Sequence, residues 1–124
     1  MNIRRPHTPL RSEYFQTKLR AETYGITVAY TDNVPDHRID AAALDYLDAC
    51  KNYFGTTYHY IVKTTGEIEI GRDPRTITSR GNQVLAETNI LIGIVGGRNE
   101  VGDRITTITP AQREAVEELM QALA

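Results

Sequence analysis

Apolar and polar residues alternate along Thr57 to Asp73 as in two short strands joined by a tight turn. On a period of two, Tyr58, Tyr60 and Val62 share one face, and His59, Ile61 and Lys63 share the other. Thr65-Gly66 falls at the turn, where glycine takes a positive φ without a Cβ clash. Glu67, Ile68, Glu69 and Ile70 then alternate again as the returning strand. Upstream, Gly25 opens the β-branched stretch Ile26 to Thr31, which reads as a central strand. Downstream, Asn89 to Gly97 is a continuous apolar run, the pattern of a strand buried on both faces. Gly93 within it marks the close approach of another element.

Helical spacing takes over elsewhere. Ile39, Ala43, Leu47, Cys50 and Phe54 fall on one face of a helix over about 39–54, capped by Asp36 or Asp40 and stopped near Gly55. Cys50 on that face reads as a buried structural thiol. Thr109-Pro110-Ala111-Gln112 combines a capping box with proline at the first helical position. The helix that follows carries an apolar stripe of Val116, Leu119, Met120 and Leu123, with Met120 as core filling. Ser12 can cap a short helix through about Ala21, and a strand over Lys18 to Thr23 fits nearly as well. Pro74 to Glu87 and Arg98 to Thr107 read as polar loops. Residues 1–11, with two prolines and three arginines, read as an arm outside the core. The order strand, helix, hairpin, strand, helix predicts an α/β fold, a small mixed central sheet with flanking helices. Residues 1–22 form an N-terminal arm and short element, and residues 23–124 the domain.

Bulk composition narrows the classes. With 124 residues the chain suits one domain and one core. A net charge of −2 and a pI near 5.9 argue against a nucleic-acid footprint, although Arg4, Arg5, Arg11, Lys18 and Arg20 cluster early. One cysteine excludes an internal disulfide. No apolar run reaches bilayer length, and the first residues lack the apolar core of a signal peptide. The expected location is a cytoplasm, unless something releases the protein or carries it in a particle.

Candidate chemistry enters through a resemblance. Tyr-His-Tyr-Ile-Val-Lys at 58–63, the glycine turn, and Ile-Glu-Ile-Gly-Arg-Asp at 68–73 resemble the central hairpin of zinc-dependent N-acetylmuramoyl-L-alanine amidases. That family includes phage amidase-type lysozymes and peptidoglycan-recognition proteins. The resemblance runs from about Gly25 to Leu123, and Ile92 to Gly97 followed by the Thr-Pro-Ala-Gln helix start is similar to the small phage enzymes. It implies a zinc held by two histidines and a cysteine or aspartate, which activates water and polarises the scissile carbonyl. The position matching the first histidine, counted back from Tyr58 without a gap, is Ala29, which has no lone pair; Tyr30 beside it is a poor substitute. The other two ligand positions and the family's lysine fall beyond the last helix. The resemblance therefore implies a C-terminally truncated fold with its zinc ligands lost and no metal or other cofactor. His7, His37, His59 and Cys50 show no i, i+4 or Cys-x-x-Cys spacing from which zinc could be rebuilt.

The resemblance also implies site residues. Tyr58 matches the family's active-site tyrosine and is expected as a vestigial catalytic group. His59 adjoins it. Arg80, with Ser79, stands near a substrate-facing loop, where an arginine can hold a carboxylate of a peptide stem. The expected function is a degenerate amidase-like protein of phage type that acts by binding, in regulation or assembly. The alternative is a peptidoglycan amidase of endolysin type with a rebuilt or intersubunit zinc site. Expected partners are a peptidoglycan fragment, a protein such as RNA polymerase or a phage structural protein, or a second copy of the chain, with no membrane.

Overall fold

The computed structural model describes residues 1–6, 9–11, 18–51, 53, 55–78 and 83–124, without the side chains of 83–85. The helix expected from Ser12 lies largely outside these residues. The elements in order are β1 (Ile3–Arg4), β2 (Gly25–Tyr30), α1 (Ala41–Cys50), β3 (Tyr60–Val62), β4 (Ile68–Ile70), α2 (Gln83–Thr88), β5 (Asn89–Ile94) and α3 (Pro110–Leu123). The sheet runs β1-β4-β3-β5-β2. Only β3 and β4 pair antiparallel; β1 with β4, β3 with β5 and β5 with β2 are parallel. The expected mixed α/β sheet with flanking helices is the observed fold. Among the described residues no helix is long and apolar enough to cross a membrane.

Each face of the sheet carries one apolar cluster. Leu10, Ala41, Leu44, Tyr58, Ile61, Leu91 and Val95 pack on the α1 side. Tyr60, Val62, Ile68, Ile90, Ile92, Ala115 and Leu119 pack on the α3 side. β5 supplies both, as its unbroken apolar run predicts, because successive side chains of a central strand point to opposite faces. The hairpin turn closes with Gly66 at φ 87° and its N–H on the Lys63 carbonyl. α3 begins as its sequence predicts: Gln112 N–H donates to Thr109 Oγ1, and Thr109 N–H donates back to Gln112 Oε1. The Thr109 hydroxyl also donates to the Thr64 carbonyl at 2.9 Å, which fixes the helix start against the hairpin turn.

Four expectations are corrected. First, α1 buries Ala41, Leu44, Asp45 and Asp48, while Leu47 is 39% exposed and Cys50 is exposed. The helix is rotated from the expected face because its two aspartates face inward to take backbone N–H groups. It also stops at Cys50, short of 54. Second, Tyr58 does not share a face with Tyr60 and Val62. The chain bends at His59, before β3 starts, and Tyr58 joins Ile61 in the α1-side cluster. Third, the 74–87 segment holds α2 and is not loop throughout, and Met120 is exposed instead of filling the core. Fourth, the expected arm is tied into the sheet: Ile3 and Arg4 pair with Ile68 and Glu69, and Leu10 is 1% exposed.

Candidate functional site

The residues singled out in the sequence meet around Gly93 in β5. Ala29 in β2 and Ile61 in β3 are its register partners on either side. A Cβ added to Gly93 would lie 2.6 Å from Tyr58 Cδ1, so the absent side chain is what admits the tyrosine ring. Tyr58 is 1% exposed, which leaves its whole side chain shut inside the α1-side cluster. Ala29 packs against the edge of that same cluster.

His59 is wholly buried and both of its ring nitrogens are engaged. Nε2 donates to the Thr76 carbonyl at 2.7 Å, and Nδ1 accepts the Leu91 N–H at 2.8 Å. This fixes the neutral tautomer with the proton on Nε2. Burial lowers its pKa to about 4. The ring is a strut between β5 and the loop after β4, with no lone pair left for a metal and no proton left for a substrate.

A buried polar network missed by sequence reasoning holds Tyr58 in place. Asp45 accepts the N–H of Thr56 at 2.8 Å and of Arg11 at 2.8 Å. Asp48 accepts the N–H and hydroxyl of Thr57. Thr78 donates to the Thr57 carbonyl at 2.6 Å. Arg72, also buried, donates Nε to the Thr56 carbonyl and Nη1 to the Ile77 carbonyl. Burial pulls its guanidinium below the usual arginine range, against the opposing fields of Asp48 and Asp45. The one available signal was the i, i+3 spacing of two aspartates within a helix already expected to be amphipathic. Arg20 clamps the neighbouring loop through the carbonyls of Thr76 and Pro74.

The C-terminal ends of the parallel strands β2 and β5 form the adjoining rim. Tyr30 lies against Gly97 and donates its hydroxyl to the Thr106 carbonyl at 2.7 Å. Asp32 takes a left-handed conformation, φ 65°, and accepts Arg98 Nε at 2.7 Å. The hydrogen bond from Arg98 holds its carboxyl below the usual carboxylate range. Asn33 bridges to the segment after β5 through Gly96 and Arg98, and its Nδ2 is buried with no hydrogen-bond partner among the described residues.

The structure thus brings Tyr58, His59 and Ala29 together. Ser79 and Arg80 lie outside the described residues, as does His7. Among the described residues the donor set does not fit zinc. Ala29 offers no ligand atom, His59 is spent on two protein bonds, and Cys50 sits exposed at the end of α1. His37 stands on the surface beside Asp36. Among the described residues no three His, Cys, Asp or Glu side chains are placed to hold a metal ion.

No protein-family model matches the chain. Curated relatives do. The endolysin of Enterobacteria phage T3 is 27% identical over 108 residues, covering 87% of this chain and 71% of the relative. The endolysin of Escherichia phage T7 is 26% identical over the same lengths. Among solved structures, the N-acetylmuramoyl-L-alanine amidase LysCS from Clostridium intestinale superimposes with a TM-score of 0.75 at 18% identity, over 98% of this chain and 72% of that one. Bumblebee PGRP-SA superimposes with a TM-score of 0.68 at 14% identity, over 98% and 73%. The hairpin, the apolar strand β5 and the capped α3 lie within a fold shared with both groups, so the chain has the fold of the N-acetylmuramoyl-L-alanine amidases and peptidoglycan-recognition proteins, and its sequence is similar to those of the phage endolysins.

Proposed function

We propose that this chain is a phage-type amidase-fold protein that binds peptidoglycan and lacks the zinc chemistry. The observation that carries this reading is Ala29. It occupies the position that the family likeness gives to a metal-binding histidine, and no neighbouring described side chain makes good the loss. The sealed Tyr58 and the fully engaged His59 support it. A catalytic tyrosine must reach the reacting group, and this one is packed under Leu91 and Ile61 in the core. Peptidoglycan as the ligand is supported by the relatives, which include phage endolysins and a peptidoglycan-recognition protein. Arg80 and Ser79 belong to this reading as groups that meet the stem peptide, the guanidinium pairing with a carboxylate.

Incubation with insoluble peptidoglycan tests the reading, with and without added zinc and with a chelator. The expected result is that the chain sediments with the polymer and releases no soluble muropeptide in any condition. Digestion that zinc supports and a chelator stops would overturn it in favour of a working endolysin, the reading favoured by the likeness over 87% of the chain. Neither binding nor digestion would overturn peptidoglycan as the ligand and turn the search to a protein partner, beginning with RNA polymerase and phage structural proteins.

A further inference from the structure

The stretch from Pro74 to Ile77, between β4 and α2, belongs to no helix or strand, yet each of its backbone polar groups is bonded. Arg20 alone takes three of the four carbonyls. Its Nη2 donates to Pro74 at 2.7 Å, its Nη1 to Thr76 at 2.9 Å and its N–H to Arg75 at 2.8 Å. His59 Nε2 shares the Thr76 carbonyl, and Arg72 Nη1 takes that of Ile77. Of the N–H groups, those of Arg75 and Thr76 donate to Asp73, and that of Ile77 donates to the Lys18 carbonyl. Thr78 is buried and closes the run with its hydroxyl on the Thr57 carbonyl.

Joining β4 to α2 does not require this, because a surface connection can satisfy its backbone with water. Here the partners are a buried imidazole, the buried guanidinium of Arg72 and the half-buried Arg20. Burial pulls the Arg20 guanidinium below the usual arginine range, against the raising fields of Tyr60 and Asp73. Its fork is also fixed from behind, since Nε donates to Thr23 Oγ1 at 2.8 Å. Two arginines and a histidine therefore hold one backbone conformation over 74–78 before any ligand arrives. Ser79 and Arg80, the groups given above to the stem peptide, follow directly in the chain.

We propose that Arg20 is a positioning residue of the peptidoglycan site, acting through the carbonyls of Pro74 and Thr76 and not by touching the ligand. This rests on the peptidoglycan reading above and adds to it a group that sets affinity from outside the contact. A stretch ordered in advance spares the ligand the conformational entropy of fixing it, and the saving appears as affinity. Lysine cannot take the place of this arginine. An ammonium is a point charge on one atom, whereas the planar fork reaches Thr23, Pro74 and Thr76 together.

Isothermal titration of the full chain with a soluble N-acetylmuramoyl pentapeptide tests this, together with amide hydrogen exchange. In the free wild type the Thr76 and Ile77 amides are expected to exchange about a hundredfold or more slower than unprotected amides. Arg20→Lys is expected to bind about tenfold more weakly, with the loss in the binding entropy. Its Thr76 and Ile77 amides should exchange fast when free and slow again only with ligand bound. Thr23→Val frees Nε alone and should shift affinity and exchange in the same sense to a smaller extent, which keeps the test open if Arg20→Lys fails to fold. Val116→Ala loosens the α3-side layer and should keep wild-type affinity. Wild-type affinity in Arg20→Lys would overturn the proposal and leave the peptidoglycan reading standing. So would an equal loss in Val116→Ala, or a loss wholly in enthalpy with the two amides still slow without ligand. Fast exchange of those amides in the free wild type would overturn it with no variant needed. A wild type that binds no muropeptide would overturn the peptidoglycan reading and the positioning role together.

Discussion

Gly93 and Tyr58 are two halves of one contact, and single substitutions there separate packing from chemistry. Gly93→Ala would place a methyl 2.6 Å from Cδ1 of the buried ring. Neither the ring nor the central strand can move away cheaply, so overpacking is expected to cost about 1–3 kcal/mol. Urea unfolding measures it, and an unchanged midpoint would mean that the ring is not packed on this strand. His59 gives the residue-scale pH dependence. Its folded pKa of about 4 lies below the ordinary histidine value of about 6.5. Between those two values the unfolded chain binds more protons at this position than the folded one, so stability rises with pH across that window. The contribution is complete above about pH 6.5 and is lost as pH falls toward 4. It amounts to roughly 3 kcal/mol if the full shift is realised. His59→Gln does not titrate, so its stability should lack this slope, whatever it loses at neutral pH. Equal slopes in the two proteins would show that another group is responsible.

At the scale of elements, α1 reverses what hydrophobicity alone would suggest. Asp45 faces inward and holds the N–H groups of Thr56 and Arg11, whereas Leu47 faces out. Asp45→Ala strands two backbone donors and should cost roughly 2–4 kcal/mol. Leu47→Ala should change stability by less than about 0.5 kcal/mol. Paired urea titrations check the order, and a larger loss for Leu47→Ala would restore the face read from the sequence. This reversal shows where sequence reasoning stops. β2, the hairpin turn, β5 and the capped α3 were legible because each is specified locally, by a two-residue period, a glycine turn, a continuous apolar run or a capping box. The inward face of α1 was not, since an aspartate is polar to any periodicity count and becomes core only through a partner nine or eleven positions away. The bend at His59 was hidden for a similar reason. It is set by bonds to Leu91 and Thr76, not by its neighbours in the chain. In the candidate site, the glycine that admits a ring could be read from β5, but the burial of that ring and the saturation of His59 could not.

At the scale of the molecule, the first eleven residues decide whether the sheet is closed on its other side. Ile3 and Arg4 add an edge strand to β4, and Ile3 packs at the margin of the α3-side cluster. Leu10 crosses to the opposite face and is buried with Leu44, Tyr58 and Leu91. One short segment therefore ties together both apolar layers, and both must come apart if it leaves. Two arginines and two prolines between Ile3 and Leu10 disguise the segment as an arm, because neither anchor lies in a run long enough to show a period. Leu10→Ala removes most of a buried side chain from a layer with few ways to collapse. A loss of about 2–5 kcal/mol is expected, in the range of deeply buried leucines. The chain has seven tyrosines and no tryptophan, so tyrosine fluorescence and far-ultraviolet circular dichroism follow tertiary and secondary structure separately. Both signals should move together to a lower urea midpoint in Leu10→Ala, as one cooperative domain requires. An unchanged midpoint would detach the segment from the core. A fluorescence change that precedes the loss of secondary structure would mean that the α1-side layer, with Tyr58 in it, opens on its own.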